Sequence, residues 1–359
     1  MVEKVLLKNN EVIAEAAIRA GCRFFSGYPI TPQNEIPEYL AKRLPEEGGV
    51  FIQSESEVAA INMLAGASSA GIRAMTSTSS PGMSLMAEGI SFMATAELPA
   101  LIVNISRAGP GDGDIKGSQG DYFQATKGHG HGDYRVIVLA PCSGREVAEL
   151  TFLAFDLADR YRSPVILLGD GYIGQMIEPV ILPERVELPS LNKKKKWALT
   201  GAMNRRANQI KTCSFTPEEA EAVGLRLQKK FKLIAKREKR CETYLIEDAD
   251  VAIVAFGIVS RIVKSVVNMA REKGLRVGLI RPVTLWPFPN VVFEDLPATI
   301  QNLLVVELNA GQMVEDVRLA FECRGNVFFH GRVGGMLPST KDIFTEIEKI
   351  HDESKPGKR

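Results

Sequence analysis

The stretch "QSESEVAAINMLAGASSAGIRAMTSTSS", residues 53–80, sets a helix against the strand that follows it, and its reading decides the fold. After Glu57 the chain reads as a helix that stops at Gly71, and "RAMTSTSS" (73–80) then reads as a short strand. Within the helix Val58, Ile61, Met63, Leu64 and Ala65 fall roughly at helical spacing. Ala59, Ala60, Gly66, Ala67, Ser68 and Ala70 leave the other flank almost bare, which predicts that something packs closely there. Two carboxylates, Glu55 and Glu57, stand at the mouth of this segment. Acids in a first helical turn are favoured by the macrodipole, so a solvated helix start is one explanation; an acid placed to act at a small-residue surface is the other.

The same alternation runs outward in both directions. An amphipathic segment (11–20) ends at Gly21, and "RFFSGYP" (23–29) follows as a strand and turn. Downstream come a helix from Met83 to Ala96, "ALIVNIS" (100–106), a glycine-rich loop, "YRVIVLAP" (134–141), a helix to Tyr161 opened by Ser143-x-x-Glu146, and "PVILLGD" (164–170). Short apolar runs separated by helices predict an α/β fold: a doubly wound, mostly parallel sheet covered on both faces. The rhythm breaks over 186–245, a polar linker that includes Lys193 to Lys196, read as a solvated face, and a basic helix starting at Thr216-Pro217-Glu218-Glu219. From Asp250 it resumes with "VAIVAFG", "RVGLIRP", "NLLVVELN" and "VFFHGR", a smaller second α/β domain. The expected division is 1–185 for the first domain, 186–245 for the linker, 246–352 for the second domain and 353–359 for a polar tail.

Composition narrows the function. The chain has 359 residues, 45% hydrophobic and 24% charged, with Lys+Arg 44 against Asp+Glu 43 for a formal charge of +1. Nothing favours a nucleic acid or another polyanion. The cysteines Cys22, Cys142, Cys213, Cys241 and Cys323 are scattered and never form a C-x-x-C pair, which argues against disulfides, zinc or an iron–sulfur cluster on this chain and for a cytoplasmic protein. Charges interrupt every apolar run, so neither a signal peptide nor a membrane span is expected.

Candidate sites lie where strands end. "SGYPITPQNEIPEYL" places Tyr28, Pro29, Thr31 and Pro32 directly after a strand, where ligands of open α/β sheets bind; Thr31 as a helix cap with Pro32 at the first helical position is the alternative. Arg107 closes "IVNISRAGPGDG" as the one cation before a glycine-rich loop. Its planar fork can clamp a carboxylate, although a structural ion pair would also account for it. His129 and His131 alternate with glycines in that loop, too flexible a setting to make them a metal pair; lining a ligand pocket is the other reading. Gly169-Asp170-Gly171 followed by Asn192 imitates a metal–diphosphate motif, but the two polar residues are too close together, with Pro179, Pro183 and Pro189 between them.

Taken in order, "GYPITP", "SESEVAAINMLAGASSAG", "TSTSSPG", "SRAGPG", "QGDYFQATKGHGHGDYR" and "LLGDGYIGQM" resemble the α subunit of the 2-oxoacid:ferredoxin oxidoreductases, closest to the 2-ketoisovalerate type. The likeness runs across essentially the whole chain. It implies a thiamin-diphosphate pyrimidine-binding domain followed by a domain like the transketolase C-terminal one. It also implies oxidative decarboxylation of a 2-oxoacid to acyl-CoA and CO2 with reduction of ferredoxin. By the same resemblance Glu57 hydrogen-bonds the aminopyrimidine ring nitrogen of thiamin diphosphate, Thr31 and Arg107 contact the substrate, and Tyr28 and Pro29 share the cofactor-binding motif. Thiamin chemistry needs a proton removed from the thiazolium C2. The cofactor's own amino group does this once a carboxyl group shares a proton with the ring nitrogen. Glu57 is favoured over Glu55 by register from Gly66 and Gly71.

The partners implied are a β subunit holding the diphosphate and Mg2+, γ and ferredoxin-like δ subunits carrying iron–sulfur clusters, ferredoxin, CoA and the 2-oxoacid, with self-association of the chain. Three other readings stay open: 2-oxoglutarate as substrate, with His129, His131 or Lys127 meeting a second carboxylate; another thiamin-dependent decarboxylase half; and a non-catalytic scaffold subunit.

Overall fold

In this computed structural model the described residues are 4–128, 130–187, 195–322 and 324–353. The first sheet has eight strands, in the order Thr284–Trp286, Ile137–Leu139, Pro164–Asp170, Ala100–Ala108, Ala74–Thr78, Phe24–Gly27 and Val50–Gln53, with Asp114–Gly117 paired onto Ala100–Ala108 off this path. Its central pairs are parallel: Met75 faces Leu101, and Leu101 faces Val165. Every residue of Ala74–Thr78 and Pro164–Asp170 is buried. Uninterrupted burial is what near-continuous apolar strands produce when helices cover both faces.

From the strand Phe24–Gly27 the chain steps outward to Val50–Gln53, then returns to Ala74–Thr78 on the other side. The strand order therefore reverses there, and a crevice opens beyond the carboxyl ends of these strands. The loops that follow Gly27, Thr78 and Ala108 surround it.

The second sheet runs Cys241–Tyr244, Val277–Pro282, Val251–Val254, Asn302–Glu307 and Asn326–Gly331, parallel except for its first edge strand. That edge strand lies within the segment expected to be linker. The two sheets also exchange a strand: Thr284–Trp286 leaves the second and pairs antiparallel with Ile137–Leu139 of the first. The basic helix Pro217–Arg237 begins where its sequence indicates, with the Thr216 side chain accepting from the Glu219 N–H, and it buries Leu227, Phe231 and Ile234.

Three local expectations need correction. The helix Glu57–Ser69 buries Glu57, Ala60, Ile61, Leu64, Ala65 and Ser68, whereas Val58 and Met63 are 48% and 37% exposed. The packed flank is set by Gly89, where a Cβ would come within 2.5 Å of Ile61, while Gly66 on the small-residue flank faces open space. The helix expected from Met83 to Ala96 is two, Ser80–Leu85 and Ala87–Thr95; the first starts earlier because Pro81 suits a first turn. In the lysine run, Lys195 is not a solvated residue: only 8% of its side chain is exposed and it pairs with Asp159 at 2.7 Å. Lys193 and Lys194 lie outside the described residues.

Candidate functional site

Glu57 is the first residue of its helix. Ser56, in extended conformation, caps the helix by accepting from the Ala59 N–H at 3.2 Å, which turns the next side chain inward. Glu57 is 4% exposed and Glu55 lies in the exposed turn before it, so of the two acids the structure buries the one the register favours. Among the described residues the Glu57 carboxylate has no hydrogen-bond or ion-pair partner. It rests against Gly82 of the helix Ser80–Leu85, where a Cβ would overlap both the Glu57 carboxylate and Thr78 Oγ1. The absence of a side chain at Gly82 is what lets the short helix close over the acid.

Thr78 Oγ1 beside it is buried without a partner among the described residues, as are Thr76 Oγ1, Ser79 Oγ and Ser106 Oγ on the neighbouring strands and turn and Gln33 Nε2 in the loop after Gly27. Buried hydroxyls and amides are normally satisfied, so exceptions at strand ends mark where a polar ligand can supply the missing bonds. Gln33 is held by Ser77 Oγ, which donates to Gln33 Oε1 at 2.6 Å and leaves Nε2 available.

Arg107 ends the strand Ala100–Ala108 with 12% of its side chain exposed. Its Nη1 donates to the Thr31 carbonyl at 3.1 Å, and Nη2 stands 3.9 Å from Asp112, a fully exposed residue. Nε is buried and has no partner among the described residues. Of the two sequence readings, the structural ion pair finds among the described residues only this loose contact, so one edge of the fork remains for an incoming carboxylate. Thr31 is not a helix cap: the helix Glu35–Glu46 starts after Asn34, whose Nδ2 donates to Thr31 Oγ1 at 3.3 Å. The structure thus brings Thr31 and Arg107 together. Tyr28 and Pro29 are exposed, and Pro29 borders a separate cavity of about 290 Å³ with Gly27, Asn34 and Phe51.

Arg107 opens onto a cavity of about 1070 Å³ between the two sheets, walled by Ser80, Asp121 and Gln124 on one side and Asn309 and Gln312 on the other. Sequence reading passed over Ser80, Asn104 and Asp121. Asp121 Oδ2 accepts from Ser80 Oγ at 2.7 Å and from Asn104 Nδ2 at 2.9 Å, and Ser80 Oγ accepts from the Arg107 N–H at 2.9 Å. The available signal was the polar Asn104 interrupting the apolar run of "ALIVNIS". Asp170 serves the fold, since its Oδ1 accepts from the Tyr172 and Ile173 N–H groups, and burial raises its pKa from 3.8 to about 6. Asn192 and His129 lie outside the described residues, and His131 is exposed.

Residues 15–244 match the family described as pyruvate flavodoxin/ferredoxin oxidoreductase, thiamine diphosphate-binding, and residues 249–343 match pyruvate:ferredoxin oxidoreductase core domain II. The chain belongs to this oxidoreductase family. It is 46% identical to the ketoisovalerate oxidoreductase subunit VorB of Methanothermobacter marburgensis, over 97% of this chain and 98% of the relative. It is 41% identical to the 2-oxoglutarate synthase subunit KorA of Archaeoglobus fulgidus, over 90% and 93%. Among solved structures, it superposes with a TM-score of 0.84 on a 2-oxoglutarate:ferredoxin oxidoreductase from Magnetococcus marinus that has 2-oxoglutarate, coenzyme A and succinyl-CoA bound. The identity there is 27%, and the match covers 97% of this chain but 65% of that one. A split-gene transketolase at 14% identity and TM-score 0.60 shares the fold alone. The first sheet and its helices are thus a thiamin-diphosphate pyrimidine-binding domain, and the family is one of thiamin-dependent oxidoreductases.

Proposed function

We propose that this chain is the pyrimidine-binding α subunit of a 2-ketoisovalerate-type 2-oxoacid:ferredoxin oxidoreductase, which converts the oxoacid and CoA to acyl-CoA and CO2 while ferredoxin is reduced. The observation that carries it is Glu57, buried under Gly82 with no partner among the described residues, at the strand-order reversal of a domain whose family binds thiamin diphosphate. The residues fit the cofactor: a small-residue surface for a flat ring and, among the described residues, a carboxyl group and buried hydroxyls that have no partner. Glu57, Thr78 and the backbone at Gly82 would hold the pyrimidine, with Tyr28 and Pro29 at the rim. When bound, the cofactor supplies a nucleophilic thiazolium carbon and an electron sink for decarboxylation.

The chain's own residues hold and orient. With the cofactor in place, the Glu57 carboxyl group would share a proton with the aminopyrimidine ring nitrogen. Arg107 receives the 1-carboxylate of the oxoacid through the free edge of its guanidinium, and the Thr31 carbonyl keeps that guanidinium turned toward the crevice. The short helix Ser80–Leu85 covers Glu57 and limits its contact with water.

The division into a first domain (1–185), a linker (186–245) and a second domain (246–352) belongs to this reading. So do a β subunit with Mg2+, γ and δ subunits with iron–sulfur clusters, self-association, and a cytoplasmic location. Two facts support it: relatives carry subunit names, and among the described residues no helix is long and apolar enough to cross a membrane. For the substrate, 44–46% identity to ketoisovalerate subunits against 35–41% to 2-oxoglutarate subunits favours the branched acid. Lys127 adds to this, because its ammonium is paired with Asp316 at 2.5 Å, which leaves it a poor partner for a second substrate carboxylate. Purifying the complex and measuring viologen reduction tests the proposal: CoA-dependent reduction with kcat/KM higher for 2-ketoisovalerate than for 2-oxoglutarate supports it. The reverse order transfers the chain to the 2-oxoglutarate class, and no reduction with any 2-oxoacid removes the catalytic reading.

A further inference from the structure

We propose that Asp121 is a positioning residue through which the second domain fixes the substrate clamp. This rests on the reading of Arg107 as that clamp. Asp121 immediately precedes the helix Tyr122–Thr126, yet its carboxylate does not cap it. It turns back instead and accepts from Ser80 Oγ and Asn104 Nδ2, while the Asn104 Oδ1 accepts from the Ser80 N–H at 3.1 Å. Ser80 in turn receives the Arg107 N–H, and it is also the first residue of the helix whose Gly82 covers Glu57. One carboxylate oxygen therefore ties the strand end that carries Arg107 to the helix that lies on Glu57.

Asp121 is itself held from the second domain, on both sides along the chain. Before it, the Gln119 N–H donates to the Leu308 carbonyl at 3.0 Å, the Leu308 N–H donates to Gln119 Oε1 at 3.1 Å, Gln119 Nε2 donates to the Phe256 carbonyl at 2.8 Å, and Asn309 Nδ2 donates to the Gln119 carbonyl at 2.8 Å. Gln312 then brackets it: Nε2 donates to the Gly120 carbonyl and Oε1 accepts from the Phe123 N–H, both at 2.7 Å. The second-domain turn is rigid in its own right, because fully buried Glu307 accepts from Asn309 Nδ2 and from the Met313 and Val314 N–H groups. The second domain thus brackets, through the backbone on either side, the one acidic residue whose carboxylate joins Ser80 to Asn104. The arrangement makes the second domain a jig for the first domain's site.

In the assembled complex, Asp121→Ala leaves Ser80 and Asn104 without their shared acceptor. Bonds to a charged acceptor are worth enough that KM for the 2-oxoacid should rise about tenfold or more, with KM for CoA unchanged. Asp121→Asn keeps one acceptor oxygen and should recover most of the loss. Gln312→Ala, on the other domain, should raise the same KM, and the double variant should be no worse than the poorer single one, since both act along one line. Gln119→Met serves in place of Gln312→Ala if the latter fails to assemble. A KM unchanged in Asp121→Ala while Arg107→Lys raises it overturns the positioning role and leaves the clamp standing. Multiplying effects of Asp121→Ala and Gln312→Ala overturn the link to the second domain. If Arg107→Lys itself leaves KM unchanged, the clamp falls and the inference falls with it.

Discussion

Gly82→Ala gives a sharp test of how Glu57 is held. The added methyl group would occupy the space now shared by Thr78 Oγ1 and the Glu57 carboxylate, and its centre would lie 2.8 Å from Glu57 Cδ, closer than carbon atoms approach without displacement. One of the neighbours must move, and since Thr78 is on a fully buried strand, the carboxyl group or the short helix is what gives. Overpacking of this kind costs about 1–3 kcal/mol. If that cost falls on the Glu57 geometry, it corresponds to roughly a 5- to 150-fold loss of rate. The assay is deuterium exchange at the thiazolium C2 in the assembled complex with bound cofactor, with thermal denaturation of the same sample to show that the fold survives. Gly66→Ala, on the same helix as Glu57 but with no atom within 4 Å of its added carbon, is the control and should exchange normally. Normal exchange in folded Gly82→Ala would refute the idea that the short helix sets the acid in place.

Other outcomes follow from the same geometry. Arg107→Lys keeps the charge but loses the planar fork, so KM for 2-oxoacids should rise with cofactor content intact; a constant KM across several oxoacids contradicts the clamp. Asp170 has a folded pKa raised to about 6 by burial, so its contribution to stability is fully present below pH 3.8 and is lost as pH rises through about 6. Relative to Asp170→Asn, the wild-type chain should lose on the order of 2 kcal/mol between pH 4 and pH 7, read by urea unfolding, and parallel pH profiles would refute this. Viologen reduction in a Lys127→Ala complex should keep its preference for 2-ketoisovalerate, since Lys127 is committed to Asp316; a switch in preference would place Lys127 at the substrate tail.

Much of the fold was legible because buried parallel strands write themselves as short apolar runs between helices. "PVILLGD" and "ALIVNIS" are such runs, and both are central strands. What sequence could not show is which flank of a helix packs. The helix Glu57–Ser69 is small and apolar on nearly all sides, so spacing could not separate Val58 and Met63 from the true inner stripe, which is chosen by Gly82 and Gly89 on other helices. The edge strand Cys241–Tyr244 was hidden for a related reason: half-exposed edges carry polar residues and read as linker. At the site, Glu57, Thr31 and Arg107 stood out as functional groups next to turns. Ser80, Asn104 and Asp121 did not, because their meaning lies in hydrogen bonds across 24 and 41 positions of sequence.

Whether this chain's own acid takes part in cofactor chemistry is tested most directly by comparing Glu57→Gln with Glu55→Gln for deuterium exchange at the thiazolium C2 in the assembled complex. Glutamine keeps the size of Glu57 and a hydrogen-bonding amide but not the exchangeable acid proton, so folding and assembly should survive. Exchange should slow by at least about 100-fold, while exposed Glu55 should be nearly silent. Normal exchange in Glu57→Gln, or a slow Glu55→Gln beside it, would contradict the account.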